Sequence, residues 1–181
     1  FFDADAAGPK AAKRQFGPEA VGAPADAYIR IGDAVLGDGR AVGSVETDTL
    51  AAGWDLRFSD RHEPFKHLQR DFLYRAPLPR TKPLSPYPNA VFDGRLDVGG
   101  DVIEVDAWRG MMGHNWGTEH AERWVWVDGS GFEGRSSEDY FDLAAGRIKI
   151  AGRTTPWIGN GMLVLDGVGP ATTRRVTAGL G

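Results

Sequence analysis

A chain of 181 residues with 21 basic and 25 acidic side chains, a formal net charge of −4, is long enough for one sizeable core, or for one complete domain and part of another. The basic residues are scattered among a larger number of acids, which argues against a nucleic-acid partner. With no cysteine there is no disulfide, thiolate nucleophile or zinc–thiolate site, and no apolar run of about eighteen residues is present to span a bilayer.

Phe1-Phe2-Asp3-Ala4-Asp5 lacks the charged and apolar regions of a leader, so the expected location is cytoplasmic. There is no initiator Met, and the last residues, Thr177 to Gly181, carry no polar terminal signal; the chain is expected to be a fragment whose remainder is missing. Gly8 to Asp26 reads as a connector in which Pro9 to Phe16 can start two helical turns. Strand texture follows. Ala27 to Ile31, Val35-Leu36, Arg40 to Thr47 and Gly53 to Phe58 are short runs separated by Gly32-Asp33, Gly37-Asp38-Gly39 and Ser59-Asp60, and Trp54, Leu56 and Phe58 alternate with Asp55 and Arg57. Between Pro77 and Pro88 five prolines fall within twelve residues. Because proline donates no ladder hydrogen bond, this stretch is expected to be an extended strap over a sheet rim, not a central strand.

Val91 to Val98 and Asp101 to Trp108 predict a hairpin across Gly99-Gly100. The second of these runs leads into the densest stretch of the chain. From His114 to Trp126, thirteen residues hold two histidines, three carboxylate or amide side chains and three tryptophans. The expected form is a polar turn closing on the strand Trp124-Val125-Trp126-Val127, with both indoles on one face. Further on, Tyr140 to Leu143 and Arg147 to Ile150 predict a hairpin with its turn at Ala144-Ala145-Gly146, and two more strands flank Gly159-Asn160-Gly161. Nothing shows twelve residues of helical periodicity. Many short strands with glycine turns mean an all-β, antiparallel barrel or sandwich.

The chemistry available to the dense stretch is limited. His114 and His120 are six residues apart, which places them about 120° apart on a helix or roughly 20 Å apart on a strand. Neither spacing chelates, so no metal is expected, and no cofactor-binding loop or Gly-x-Ser-x-Gly elbow occurs. General-acid chemistry is open. A carboxyl buried against indoles has its pKa raised and can protonate an alkene or an epoxide. Glu119 is the first candidate for the proton donor, with His114 to orient it and Asp106 in reserve. Asn115, Trp116, His120, Trp124 and Trp126 are the candidate ligand contacts. Structural roles compete with each of these: Glu119 and Glu122 can pair with Arg123, His114 and Asn115 can satisfy backbone groups at a bend, and the indoles can be core. His114 is expected to be partly buried at a barrel mouth and hydrogen-bonded on at least one nitrogen.

The run Gly110-Met111-Met112-Gly113-His114-Asn115-Trp116-Gly117, followed by Trp124-Val125-Trp126, resembles the double-lipocalin superfamily of carotenoid 1,2-hydratase (hydroxyneurosporene synthase) and the AttH-like proteins. The likeness rests on this motif and its flanks, over residues 54 to 165. It implies two lipocalin-like β-barrels in tandem, a total length beyond this chain, and an apolar small-molecule cavity. On that pattern residues 1–135 form most of an N-terminal domain, including the strap, and 136–181 begin the second. Where hydratase-like members carry an Asp before the histidine, this chain has Gly113. The expected function is binding of an apolar terpenoid- or polyketide-like molecule, with acid-assisted hydration or cyclisation as an added activity. The alternative is a non-catalytic lipid-binding module or a purely structural β domain.

Overall fold

Alternating apolar and polar side chains suit a backbone whose successive residues face opposite ways, and this chain forms strands wherever that alternation holds. The computed structural model describes residues 8–23, 25, 27–37, 39–150, 152–165 and 172–180; Asp38 of one expected turn and the N-terminal Phe1 to Asp5 lie outside them. The strands are β1 (Val21–Gly22), β2 (Ile29–Ile31), β3 (Ala34–Gly37), β4 (Arg40–Glu46), β5 (Ala51–Ser59), β6 (Phe65–Lys66), β7 (Thr81–Val98), β8 (Asp101–Gly117), β9 (Arg123–Ser130), β10 (Tyr140–Arg147), β11 (Lys149–Ile150), β12 (Arg153–Thr154), β13 (Trp157–Leu165) and β14 (Thr172–Leu180). Helical structure among the described residues is limited to 3-10 turns at Pro18–Ala20 and Asp71–Tyr74. Pro9 to Phe16 is not helical. Eight residues fall short of the length at which a helix overcomes its nucleation cost without packing.

The fold is all-β and antiparallel. One sheet runs β1-β2-β3-β4-β5-β7-β6 with β8 also on β7, a second runs β14-β13-β10-β9, and β11-β12 is a ribbon. Among the described residues no sheet closes into a barrel. Contacts group the chain into two units, Phe1–Ser59 with Val91–Trp108 and Asp60–Ala90 with Arg109–Gly181. The grouping is interleaved because β7 and β8 each run from one unit into the other, so it differs from a division at residue 135.

In the first unit β5 follows its pattern: Phe58 is buried, Trp54 and Leu56 are half-buried, and Asp55 and Arg57 face solvent. Phe58 lies opposite Phe92 of β7, with ring centroids 5.5 Å apart. The β7–β8 hairpin turns at Gly99 and Gly100, whose φ values of +66° and +93° only glycine adopts readily. Ala107 marks a kink in β8, with φ +51° and its N–H bonded to Asp93 Oδ1 at 2.9 Å.

The second unit corrects four sequence expectations. Half of the proline strap is strand, since β7 begins at Thr81 and contains Pro83, Pro86 and Pro88. Its pairing with β6 is confined to Leu84 and Ser85, the residues between two prolines, while the proline-free half from Val91 pairs continuously with β5. Ala144-Ala145-Gly146 is not a turn but part of β10, which is held between β9 and β13 along its length. Gly159-Asn160-Gly161 is likewise the middle of β13, where a Cβ on Gly161 would lie 2.9 Å from the Asp142 carbonyl oxygen. These glycines and alanines serve close approach of strands rather than reversal. The dense stretch is also not a turn, because β8 continues to Gly117 and only the residues between it and β9 bend.

Gly117, at φ +139°, ends β8, and a Cβ there would be driven into the Arg80 carbonyl oxygen. Gly117→Ala is expected to lower unfolding free energy by about 2 kcal/mol or more. Gly99→Ala, with nothing near its Cβ position, should cost only the left-handed backbone penalty of roughly 1 kcal/mol; urea denaturation of both variants checks the order.

Candidate functional site

The second unit encloses a cavity of about 410 Å³ whose lining residues all belong to that unit. Its shape follows from the register of three strands. Trp124, Gly146 and Ile158 stand in one row across β9, β10 and β13, and Trp126, Ala144 and Asn160 in the next. Directly paired residues share a face, so large side chains flank a central strand that offers little beyond its backbone. The space left open is closed by Leu68, Leu73, Leu78 and Pro83 from the segment preceding and entering β7, and by Ile148 and Ile150. Trp124 is 66% exposed and Ile158 55%, so the indole is wall rather than core.

Beneath the wall lies a polar cluster assembled from residues far apart in the chain. Asp142 is fully buried; its Oδ1 accepts from Trp126 Nε1 at 2.8 Å and its Oδ2 from the Ser85 hydroxyl in a short hydrogen bond. His67, also buried, sets Nε2 3.1 Å from Ser85 Oγ and 3.4 Å from Asp142 Oδ2, and Nδ1 3.4 Å from the Asn160 carbonyl oxygen. Asn160 returns a bond from Nδ2 to the His67 carbonyl at 2.6 Å. The T-shaped packing of His67 on Trp126, 5.1 Å between centroids, completes the support of the indole. His67, Asn160 and Trp126 reach the cavity wall, where His67 is the sole ionisable side chain among the described residues.

The residues predicted from sequence are distributed around this core. Trp124, Trp126 and Asn115 line the cavity. Asn115, Trp116, Glu119 and His120 line a smaller, more polar chamber of about 200 Å³ in the same unit. His114 is half-buried and stacks on Trp116 at 5.0 Å, and Trp116 stacks in turn on Tyr74 at 5.6 Å. Burial holds the His114 imidazole below its ordinary pKa. Glu119 is half-exposed and paired with the Arg80 guanidinium, so the desolvated setting assumed for a proton donor does not surround it. Glu122 pairs with Lys149 at 2.7 Å rather than with Arg123. Asp106 is exposed and belongs to the first unit, beside the Ala107 kink. His67, Ser85, Asp142 and Asn160 carried no local signal: each is a single polar residue in a strand or loop, and up to 93 positions separate hydrogen-bonded partners.

No protein-family profile matches the chain. Two proteins of Mycobacterium tuberculosis, "Uncharacterized protein MT0513" of strain CDC 1551 / Oshkosh and "Uncharacterized protein Rv0493c" of strain H37Rv, are each 35% identical to it over 79 residues. The match covers 44% of this chain and 24% of each relative, so it spans about a quarter of their length. No solved structure matches.

Removing one side of the buried cluster should be costly. Asp142→Ala leaves the Ser85 hydroxyl and the Trp126 N–H without their acceptor and is expected to destabilise by about 3–5 kcal/mol, against less than about 1 kcal/mol for Arg40→Ala at the exposed Arg40–Asp55 pair. Urea unfolding midpoints compare the two.

A pH effect follows from His114. Its folded pKa lies below the unfolded value near 6.5, so as pH falls below about 6.5 the unfolded chain binds the proton first and stability is lost. The His114 ring resonances are expected to titrate below this value in the native protein, and His114→Gln should flatten that part of the stability profile.

Proposed function

We propose that the second unit binds an apolar small molecule, terpenoid- or polyketide-like, in the cavity walled by Trp124 and Trp126. The observation that carries this reading is a space of about 410 Å³ bounded by leucine, isoleucine, proline and indole side chains with very few polar groups, the usual constitution of a small-molecule site. Exposure of Trp124 and Ile158 supports it, since apolar surface grouped around a concavity is commonly where a ligand is covered.

Holding the molecule, rather than converting it, fits the polar groups best. Acid-assisted hydration or cyclisation needs a proton donor on the cavity wall. The ionisable side chain there, His67, has both ring nitrogens turned to the protein, one toward the Asn160 carbonyl and one toward Ser85 and Asp142. Glu119, the donor expected from sequence, lines the smaller chamber and is paired with Arg80.

Nile red, a neutral apolar dye, tests the proposal. Saturable binding at one site, with quenching of tryptophan emission, is the expected result. Ala144→Leu, which fills the space between Trp126 and Asn160, should weaken it by about tenfold or more while the melting temperature stays within a few degrees. Binding that is not saturable, or that is equal in the variant, would sink the reading.

A further inference from the structure

Resting on that reading, we infer that the ligand is amphipathic: an apolar chain that ends in a neutral hydroxyl, with the chain in the large cavity and the hydroxyl at Asn115 in the smaller chamber. Thr81 and Asn115 line both spaces, so they stand where the apolar cavity meets the polar one. The Thr81 hydroxyl donates to Asn115 Oδ1 at 2.8 Å. That bond fixes the amide and leaves its Nδ2 protons with no acceptor among the described residues, so the wall presents an oriented donor beside an otherwise apolar space.

The rest of the chamber selects the head group. Glu119 supplies a carboxylate whose charge is already balanced by Arg80. A hydroxyl accepts from Asn115 Nδ2 and donates to Glu119, whereas a carboxylate head has no proton to give and meets a like charge, and an ammonium head competes with Arg80 for its partner. The rim of the chamber is held by backbone: Thr118 N–H bonds to the Arg80 carbonyl at 3.0 Å. Trp116, stacked between Tyr74 and His114, walls its side. A polar end group is therefore received by fixed partners, where each bond formed is offset least by ordering.

Binding of decane, 1-decanol and decanoate, followed by displacement of Nile red, tests this in the native chain, in Asn115→Ala and in Thr81→Val. The expected result is that Asn115→Ala weakens 1-decanol about tenfold and changes decane by less than about twofold, the loss of one buried hydrogen bond. Thr81→Val, which frees the amide without removing it, should weaken 1-decanol in the same direction by a smaller factor, and carries the test if Asn115→Ala does not fold. Decanoate should bind the native chain more weakly than 1-decanol. Equal loss for decane and 1-decanol would make Asn115 part of the apolar wall, and no loss for either would remove it from the site; both outcomes overturn the inference and leave the binding reading standing. Failure of all three compounds to displace the dye from the native chain, or of the dye to bind it, would instead count against the binding reading itself.

Discussion

A carboxylate taken wholly out of water must be met by hydrogen bonds, and the second unit is arranged around meeting those of Asp142. Its two oxygens draw the Trp126 indole of β9 and the Ser85 hydroxyl of β7 onto β10, and His67 extends the network to Asn160 of β13. Five chain segments, those of His67, Ser85, Trp126, Asp142 and Asn160, are thereby fixed relative to one another within one unit. Tyr140, two residues earlier on β10, is almost fully buried; its hydroxyl is held well above the ordinary phenol range by burial, then by the charges of Asp60 and Asp142, and so stays neutral. Asp60 in turn accepts from His62 Nδ1 at 2.8 Å and from the Asn89 N–H at 2.7 Å. The interior of this unit is specified by polar contacts as much as by apolar burial, which explains how a wall of small residues keeps a defined shape.

Apolar volume is lost where those small residues lie. A sheet interior normally fills with branched side chains, yet the β10 positions opposite the indoles are Ala144 and Gly146. Each missing side chain forfeits dispersion contacts that a filled core would make. The cost is tolerable because Trp126 does not depend on side chains at 144 and 146 for its position: it is tethered through Nε1 to Asp142 and packed by His67. Cavity and cluster are thus one device, the first left open by the backbone of β10, the second holding its walls apart.

Local chemistry was legible and long-range pairing was not. The alternation of Trp54, Leu56 and Phe58, the Gly99-Gly100 hairpin and the Trp124-to-Val127 strand all appear where residue pattern places them, since each depends on neighbours within a few positions. Glycine misled where its reason was spatial. Gly159, Gly161 and Gly146 read as turn punctuation, but they admit an adjacent strand or leave space, and only the tertiary pairing distinguishes these uses. Proline misled in the opposite way, because Pro83, Pro86 and Pro88 sit in a strand whose pairing with β6 avoids them. Of the dense stretch from His114 to Trp126, Asn115, Trp124 and Trp126 come to line the cavity. The stretch could not point to His67, Ser85, Asp142 and Asn160, which become a cluster only when β7, β10 and β13 are brought together.

Gly113 belongs to the same constraint. A Cβ at this position would stand 2.9 Å from Cη2 of Trp126, closer than side-chain carbons approach. An indole free to swing would yield easily, but this one is held at its nitrogen by Asp142 and on its face by His67. A side chain at 113 therefore requires Trp126 to shift against the contacts that hold it on Asp142 and His67. The absence of a side chain at 113 is what leaves the indole room to reach Asp142 on β10. A buried acid that is hydrogen-bonded on both oxygens serves position rather than proton transfer.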